Sequence, residues 1–438
     1  MPLRRVVVIA ALALFAPLAA TAAVSAAPST APPPPAGQQS NYRVQGLLTA
    51  LQRSEVAREG VDVLGGGRDY LEVRATAQQA DRMRASGLNL MALPAAPGVP
   101  ATPGLPSLAQ AGQFPLGYAG YHTYAELTDE LKSVAAAHPG QVALSSYGRS
   151  YEGRALPLVK ISDNVGVDQN KPEVLFTCGQ HAREHLTIEM CLHIVHRLAE
   201  GYGSDPGITQ LVHSREIWVM PMTNPDGSEF DIAQGSFAYW RKNRQPNPGT
   251  ADIGTDLNRN WGTQWACCGG SSSNPADETY HGPGPFSAPE TAQIRDFVNS
   301  RVIGGREQIT AHIDFHTFSE LVLWPFGFTT NDTAPGLDGA EARTFQALGK
   351  AMAATNGYTP EQESDLYITD GAVTDWMWAQ HHVWSYTFEM YPTSELQGGF
   401  YPPDTEIKSQ TERNDKAVDL LLGYADCVPR IISAPCST

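Results

Sequence analysis

The sequence predicts an α/β fold for its larger part, preceded by a small α+β unit. Three observations carry this. From about residue 118 onward, apolar runs of strand length alternate with helix-length segments. Those runs lack polar alternation, which suits strands at the centre of a sheet covered on both faces. A Pro- and Ala-rich stretch separates this region from residues 41–93, whose elements are shorter. A chain of 438 residues is also too long for one compact core.

Taken in order, residues 1–5 carry two arginines, 6–20 are nearly all apolar, and small residues follow. This reads as a signal peptide over 1–27, with Ala20-Thr21-Ala22 and Val24-Ser25-Ala26 as candidate cleavage sites. The apolar run is short and contains Pro17, against a membrane anchor. Residues 28–40 read as a flexible spacer. Within the small unit, 47–53 reads as a helix, and 61–63 with 70–73 flank Gly65-Gly66-Gly67 as a hairpin. A helix over 77–85 and an extended segment over 88–93 complete it. Residues 94–117 form a second linker punctuated by Pro94, Pro97, Pro100, Pro103 and Pro106. No Lys or Arg lies between Leu88 and Leu131, so a trypsin-like cut cannot release the small unit there. In the large unit, 118–438, an amphipathic helix is expected over 124–137 and a buried helix over 186–198. Strands are expected over 172–177, 217–220, 309–315 and 383–388, with a turn at Asn224-Pro225-Asp226-Gly227. There is no internal repeat.

Charge and cysteines narrow the setting. The net charge of −16, from 46 acidic and 30 basic side chains, disfavours a nucleic-acid partner. No segment after the leader is apolar for long enough to span a bilayer, so the mature chain is expected to be secreted and soluble. Export permits disulfides among Cys178, Cys191, Cys267, Cys268, Cys427 and Cys436. Cys427 with Cys436, and Cys178 with Cys191, are the natural pairs. Cys267 and Cys268 are adjacent, and the pairing stays open. No Cys-x-x-Cys spacing supports a structural zinc site.

The densest chemical cluster is His181-Ala182-Arg183-Glu184-His185. On a helical turn His181 and Glu184 converge, offering two-thirds of a His/His/Glu zinc site. The same residues fit the inverzincin pattern, with His181 and His185 as ligands and Glu184 as base. They also fit a plain helix N-terminus. Elsewhere, His316 and Glu389 stand in apolar strands, where an unpaired polar group is costly.

The remaining motifs are Trp240-Arg241-Lys242-Asn243-Arg244, Asp256-Leu257-Asn258-Arg259-Asn260-Trp261, Tyr367 with Gly371 and Asp375-Trp376, and Thr387-Phe388-Glu389. With His181-x-x-Glu184 and His316 they stand in the order of the zinc metallocarboxypeptidases. Over about 118–422 the chain resembles the pancreatic A/B and bacterial T types, with a pro-segment-like unit at 41–93. The resemblance implies a mixed, mostly parallel sheet of about eight strands with helices on both faces. It implies one Zn2+ held by His181, Glu184 and His316, with Asp256 orienting the His181 ring. Glu389 is then the general base toward a zinc-activated water, and Arg241 stabilises the oxyanion. Asn258 and Arg259 grip the substrate's terminal carboxylate, Tyr367 closes over the bound residue, and Arg183 contacts it further upstream.

Leu323, Gly327, Thr369, Ala372, Thr374 and Thr387 would wall the specificity pocket. Relatives that cut basic residues keep an aspartate where this chain has Ala372 and Thr374. The resemblance therefore implies a preference for neutral or apolar C-terminal residues. Phe318 replaces a tyrosine of some relatives, and Asp252 and Ala276 stand where pancreatic enzymes have a disulfide. Peptide or protein C-termini and an activating protease are the expected partners, and nucleic acid and membrane are not; the chain is expected to be a monomer. His185, His193, His196 and His312 are read as structural. Three other readings stand beside this one: an inverzincin endoprotease, an inactive peptide-binding module, and an amidohydrolase-like relative acting on small N-acyl amino acids.

Overall fold

The computed structural model describes residues 39–94 and 112–436. The expected signal peptide, nearly all of the first spacer and most of the second linker lie outside the described residues.

The small unit is a four-stranded antiparallel sheet with two helices. Its elements are β1 (Gln39–Gln45), α1 (Ala50–Ala57), β2 (Asp62–Gly67), β3 (Tyr70–Thr76), α2 (Ala77–Ala85) and β4 (Asn89–Ala92), in sheet order β2-β3-β1-β4. Both helices open on a threonine that exchanges hydrogen bonds with a glutamine three residues on, Thr49 with Gln52 and Thr76 with Gln79. The triple glycine is not the hairpin turn that spacing suggested; it lies inside β2. A Cβ on Gly65 would stand 2.6 Å from Ser319 Oγ and 2.8 Å from the Phe318 ring. The glycines therefore let β2 lie against the large unit. Leu321, Leu323 and Leu366 of the large unit join the small unit's apolar core.

The large unit is built on β5 (Val142–Arg149), β6 (Ala155–Ile161), β7 (Glu173–Cys178), β8 (Glu216–Met220), a short β9–β10 ribbon (Val302–Ile303, Arg306–Glu307), β11 (Ile309–Thr317), β12 (Leu321–Trp324), β13 (Thr359–Gln362) and β14 (Trp384–Met390). Eight of these form one mixed sheet, ordered β13-β12-β14-β11-β7-β8-β6-β5 and parallel through its centre. Its helices are α3 (Tyr124–Ala137), α4 (His185–Gly201), α5 (Pro206–Ser214), α6 (Pro225–Asp231), α7 (Pro289–Ser300), α8 (Gly339–Asn356), α9 (Glu363–Leu366), α10 (Val373–His381), α11 (Ile407–Glu412) and α12 (Asp415–Tyr424).

Successive strand residues point to opposite faces, so the central strands feed two cores. Val174 and Phe176 of β7 pack with side chains of α3, α4, α8 and α12. Leu175, between them, packs with side chains of α7 and α10. This double burial explains the uninterrupted apolar runs. The expected turn at 224–227 is instead the start of α6, because Asn224 caps it by accepting from Gly227 N. Three disulfides form: Cys178–Cys191, Cys427–Cys436 and the adjacent pair Cys267–Cys268. Among the described residues no helix is long and apolar enough to cross a membrane.

Candidate active site

The chemistry gathers at the carboxyl ends of β7, β11 and β14, where an open α/β sheet leaves a crevice. β7 ends at Cys178, and the turn before α4 carries His181 and Glu184. That turn is closed by Glu184 N donating to the His181 carbonyl at 3.2 Å. β11 pairs in parallel with β14, with His316 directly opposite Glu389.

Three ligand atoms converge here. Glu184 Oε1 lies 2.9 Å from His181 Nδ1 and Oε2 lies 3.0 Å from His316 Nδ1, while the two Nδ1 atoms are 3.0 Å apart. The outer nitrogens are held by carboxylates, His181 Nε2 by Asp256 Oδ1 at 3.1 Å and His316 Nε2 by Asp314 Oδ2 at 2.6 Å. With its proton placed outward, each ring turns a lone pair inward. Burial alone opposes ionisation of Glu184, but His181 and His316 outweigh it and hold the carboxyl below its usual range. Two imidazole lone pairs and a carboxylate at this spacing fit Zn2+.

Around this cage stand the other predicted residues. Among the described residues Glu389 Oε2 has no hydrogen-bond partner, and burial pushes its carboxyl up from the usual range. Arg241 is aimed by Asp256, whose Oδ2 accepts from Nε at 3.1 Å and Nη2 at 3.0 Å. Arg259 is buried and held by backbone, with Nε donating to Gly270 O at 2.9 Å and Nη1 to Asn258 O at 2.7 Å. Its Nη2 donates to the Tyr367 hydroxyl at 3.2 Å. Asn258 Oδ1 accepts from Val373 N at 2.9 Å. Glu389, Arg241, Asn258, Arg259 and Tyr367 line one cleft together with Leu323, Thr369 and Thr387.

A cation cage facing a carboxyl group with an unpaired oxygen is what a metal-dependent hydrolase requires. An arginine-lined recess beside it suits a substrate that ends in an anion. The sequence model of the zinc carboxypeptidase family matches residues 127–417, and the chain belongs to that family. It is a family of zinc exopeptidases, so Zn2+ is the cofactor. The chain is 52% identical over 388 residues to a zinc carboxypeptidase of Saccharothrix mutabilis subsp. capreolus, covering 88% of each. It is 33% identical over 297 residues to carboxypeptidase A2 of Mus musculus, covering 67% of this chain and 68% of that one. Its fold matches the crystal structure of carboxypeptidase A from Helicoverpa armigera with a TM-score of 0.72 at 22% identity, over 90% of this chain and 98% of that one.

Other named residues stand away from the cleft lining, among them the four histidines read as structural. Arg183 does not line the cleft: it is fully buried and ion-paired with Asp62 of β2, at 2.5 and 2.8 Å. His185 is not at the cage. Its Nε2 meets Asp231 Oδ2 at 2.9 Å, and its ring packs among Phe114, Phe237 and Tyr401. His312 bridges Thr177 and Ser385, and His193 pairs with Asp415. His196 pairs with Glu130 and Glu200 at the edge. Gly327, Ala372 and Thr374 are buried but off the cleft lining; Ala372 is the residue on which α10 begins.

Two carboxylates were missed. Asp314 lies two residues before His316, so alternation along β11 was the available signal. Glu363 lines the cleft, an acid not anticipated from the residues at Ala372 and Thr374. No local motif marked it, because its neighbours come from distant segments.

The small unit covers this cleft. Val63, Leu64 and Gly65 of β2 line it opposite His316 and Phe318. Arg53 donates to the Leu366 carbonyl at 2.7 Å and to the Asp365 carbonyl, beside Tyr367.

Proposed function

We propose that the chain is a secreted zinc metallocarboxypeptidase that removes residues singly from peptide C-termini and is held inactive by residues 41–93. The observation that carries this is one cleft holding both the cation cage with Glu389 and the Arg259–Asn258–Tyr367 recess. A free α-carboxylate gives a planar guanidinium a charged partner, whereas an internal peptide bond does not. Bound Zn2+ supplies a Lewis acid that lowers the pKa of water toward neutrality. Glu389 accepts the proton of the attacking water and passes it to the leaving amine. Arg241, oriented by Asp256, donates to the oxygen that gains charge during attack. Tyr367 moves from its bond with Arg259 to cover the bound residue. Leu323 and Thr387 support acceptance of neutral or apolar C-terminal residues. Export rests on the leader-like residues 1–27 and on the disulfides.

The test is a mass-spectrometric digest of paired peptides with free and amidated C-termini, by the chain after limited proteolysis. Chelation and restored Zn2+ are the controls. Zinc-dependent loss of single residues from free termini only is expected. Internal cleavage of amidated peptides would overturn the reading.

Two further results are expected of the small unit. Gly65→Val places side-chain atoms where Ser319 and Phe318 now stand. The uncut variant should therefore cleave peptides that the uncut parent does not. A folded Gly65→Val chain as inactive as its parent would remove β2 as the block.

The second concerns pH. Glu395 Oε1 accepts from Asn41 Nδ2 at 2.7 Å, and Glu395 N donates to Glu72 Oε2 at 2.6 Å, both partners belonging to the small unit. Burial, and secondarily Glu72, push its carboxyl up to about 7 in this docked state. Undocked, it returns toward an ordinary value of about 4.3. The docked state then binds the extra proton between these values, so docking is strongest below the window and weakens as pH rises through it. Uncut chain should leak more activity at pH 8 than at pH 5, relative to cut chain. Glu395→Gln should flatten that ratio, and a slope unchanged by the substitution would count against the assignment.

A further inference from the structure

The expected aspartate is absent from Ala372 and Thr374, yet the cleft that begins at Glu389 also reaches a carboxylate. Glu363 opens α9, is 6% exposed, and lines the cleft with Leu323, Thr369 and Thr387. Its two oxygens are fixed separately, Oε1 by the Thr369 hydroxyl and Oε2 by the Thr374 hydroxyl, each at 2.7 Å. Gly327 leaves the space for it: a Cβ there would lie 2.1 Å from Thr369 Oγ1 and 3.0 Å from the Glu363 carboxyl carbon. Among the described residues, Glu363 forms no ion pair with Lys, Arg or His.

A second acid stands behind it. Asp375 accepts from Gly327 N at 2.9 and 3.2 Å. Burial first, and Glu363 second, push the Asp375 carboxyl well above the usual range. The hydrogen bonds of Glu363 come from two hydroxyls, and a cation arriving along the cleft would give its carboxyl an ion pair. The walls leading to it, Leu323 and the Thr387 methyl, suit the methylene stem of a long basic side chain.

We propose that Glu363 is a specificity-determining residue that receives the ammonium or guanidinium of a C-terminal Lys or Arg, so that the pocket takes basic as well as neutral residues. This rests on the carboxypeptidase reading above. The negative charge comes from the segment before Tyr367 rather than from the position of Thr374.

The experiment uses the zinc-loaded full chain after limited proteolysis, fragments not separated, with peptides identical except for C-terminal Lys, Arg, Leu or Phe. All four should be cleaved. Glu363→Gln should lower kcat/KM for Lys and Arg by roughly tenfold or more, leaving Leu and Phe within about threefold. Adding Thr374→Asp to Glu363→Gln should restore Lys and Arg cleavage by returning a carboxylate from the adjoining position. Parent activity on Leu and Phe with none on Lys and Arg would overturn this proposal while leaving the proposed function standing. An equal loss on all four peptides in Glu363→Gln would assign the residue to folding and also overturn it. Failure of the zinc-loaded parent on every peptide would instead overturn the carboxypeptidase reading itself.

Discussion

His316→Ala should strip the zinc from the purified chain and abolish peptide cleavage, while His185→Ala should keep the metal. The physical reason is the geometry of the cage. Removing His316 Nδ1 leaves one imidazole and one carboxylate, short of the three protein ligands of a catalytic zinc site. His185 instead serves an aromatic pocket and Asp231, so its loss should lower thermal stability rather than metal content. Asp314→Asn should fall between, weakening zinc binding about 10- to 100-fold by loosening the His316 ring. Metal analysis of the three variants, with melting curves, decides the matter. Zinc retained in His316→Ala and lost in His185→Ala would establish the inverzincin arrangement and dismantle the site described above.

Glu389→Gln should lower kcat by about 10²- to 10⁴-fold with zinc content and KM little changed. A thousandfold loss corresponds to about 4 kcal/mol of barrier. The substitution keeps shape and position on β14 but removes the group able to take a proton. Among the described residues the other carboxylates near the cage, Glu184, Asp256 and Asp314, are each already bonded to a histidine. A variant that keeps its zinc and retains kcat within tenfold of the parent would show that the base lies elsewhere.

Sequence and structure contributed different things to this site. The short apolar strands were legible because burial on both faces removes polar alternation, and Val174, Leu175 and Phe176 show the two cores that demand it. The His181–Glu184 pair was legible because three-residue spacing is local geometry. His316 and Glu389 were legible as costly exceptions in apolar strands, and the structure sets them opposite each other in register.

What only the tertiary structure decided involves partners far apart in the chain. The choice between His185 and His316 as third ligand depends on which strand ends beside the 181–184 turn. Gly65 looked like hairpin punctuation because its reason for being glycine is Phe318, more than 250 positions away. That Arg183 pairs with Asp62 of the small unit in this docked state leaves no trace in its motif. Glu363 was invisible because a pocket carboxylate is recognised by the hydroxyls of Thr369 and Thr374 and by the gap at Gly327, which only the folded chain brings together. The sequence alone determined most of the elements, through periodicity, while the metal-binding residues and the class of reaction followed from the ordered motifs that resemble the zinc metallocarboxypeptidases. Which charges line the cleft, and which pair with the small unit, depends on long-range packing and is visible only in the tertiary structure.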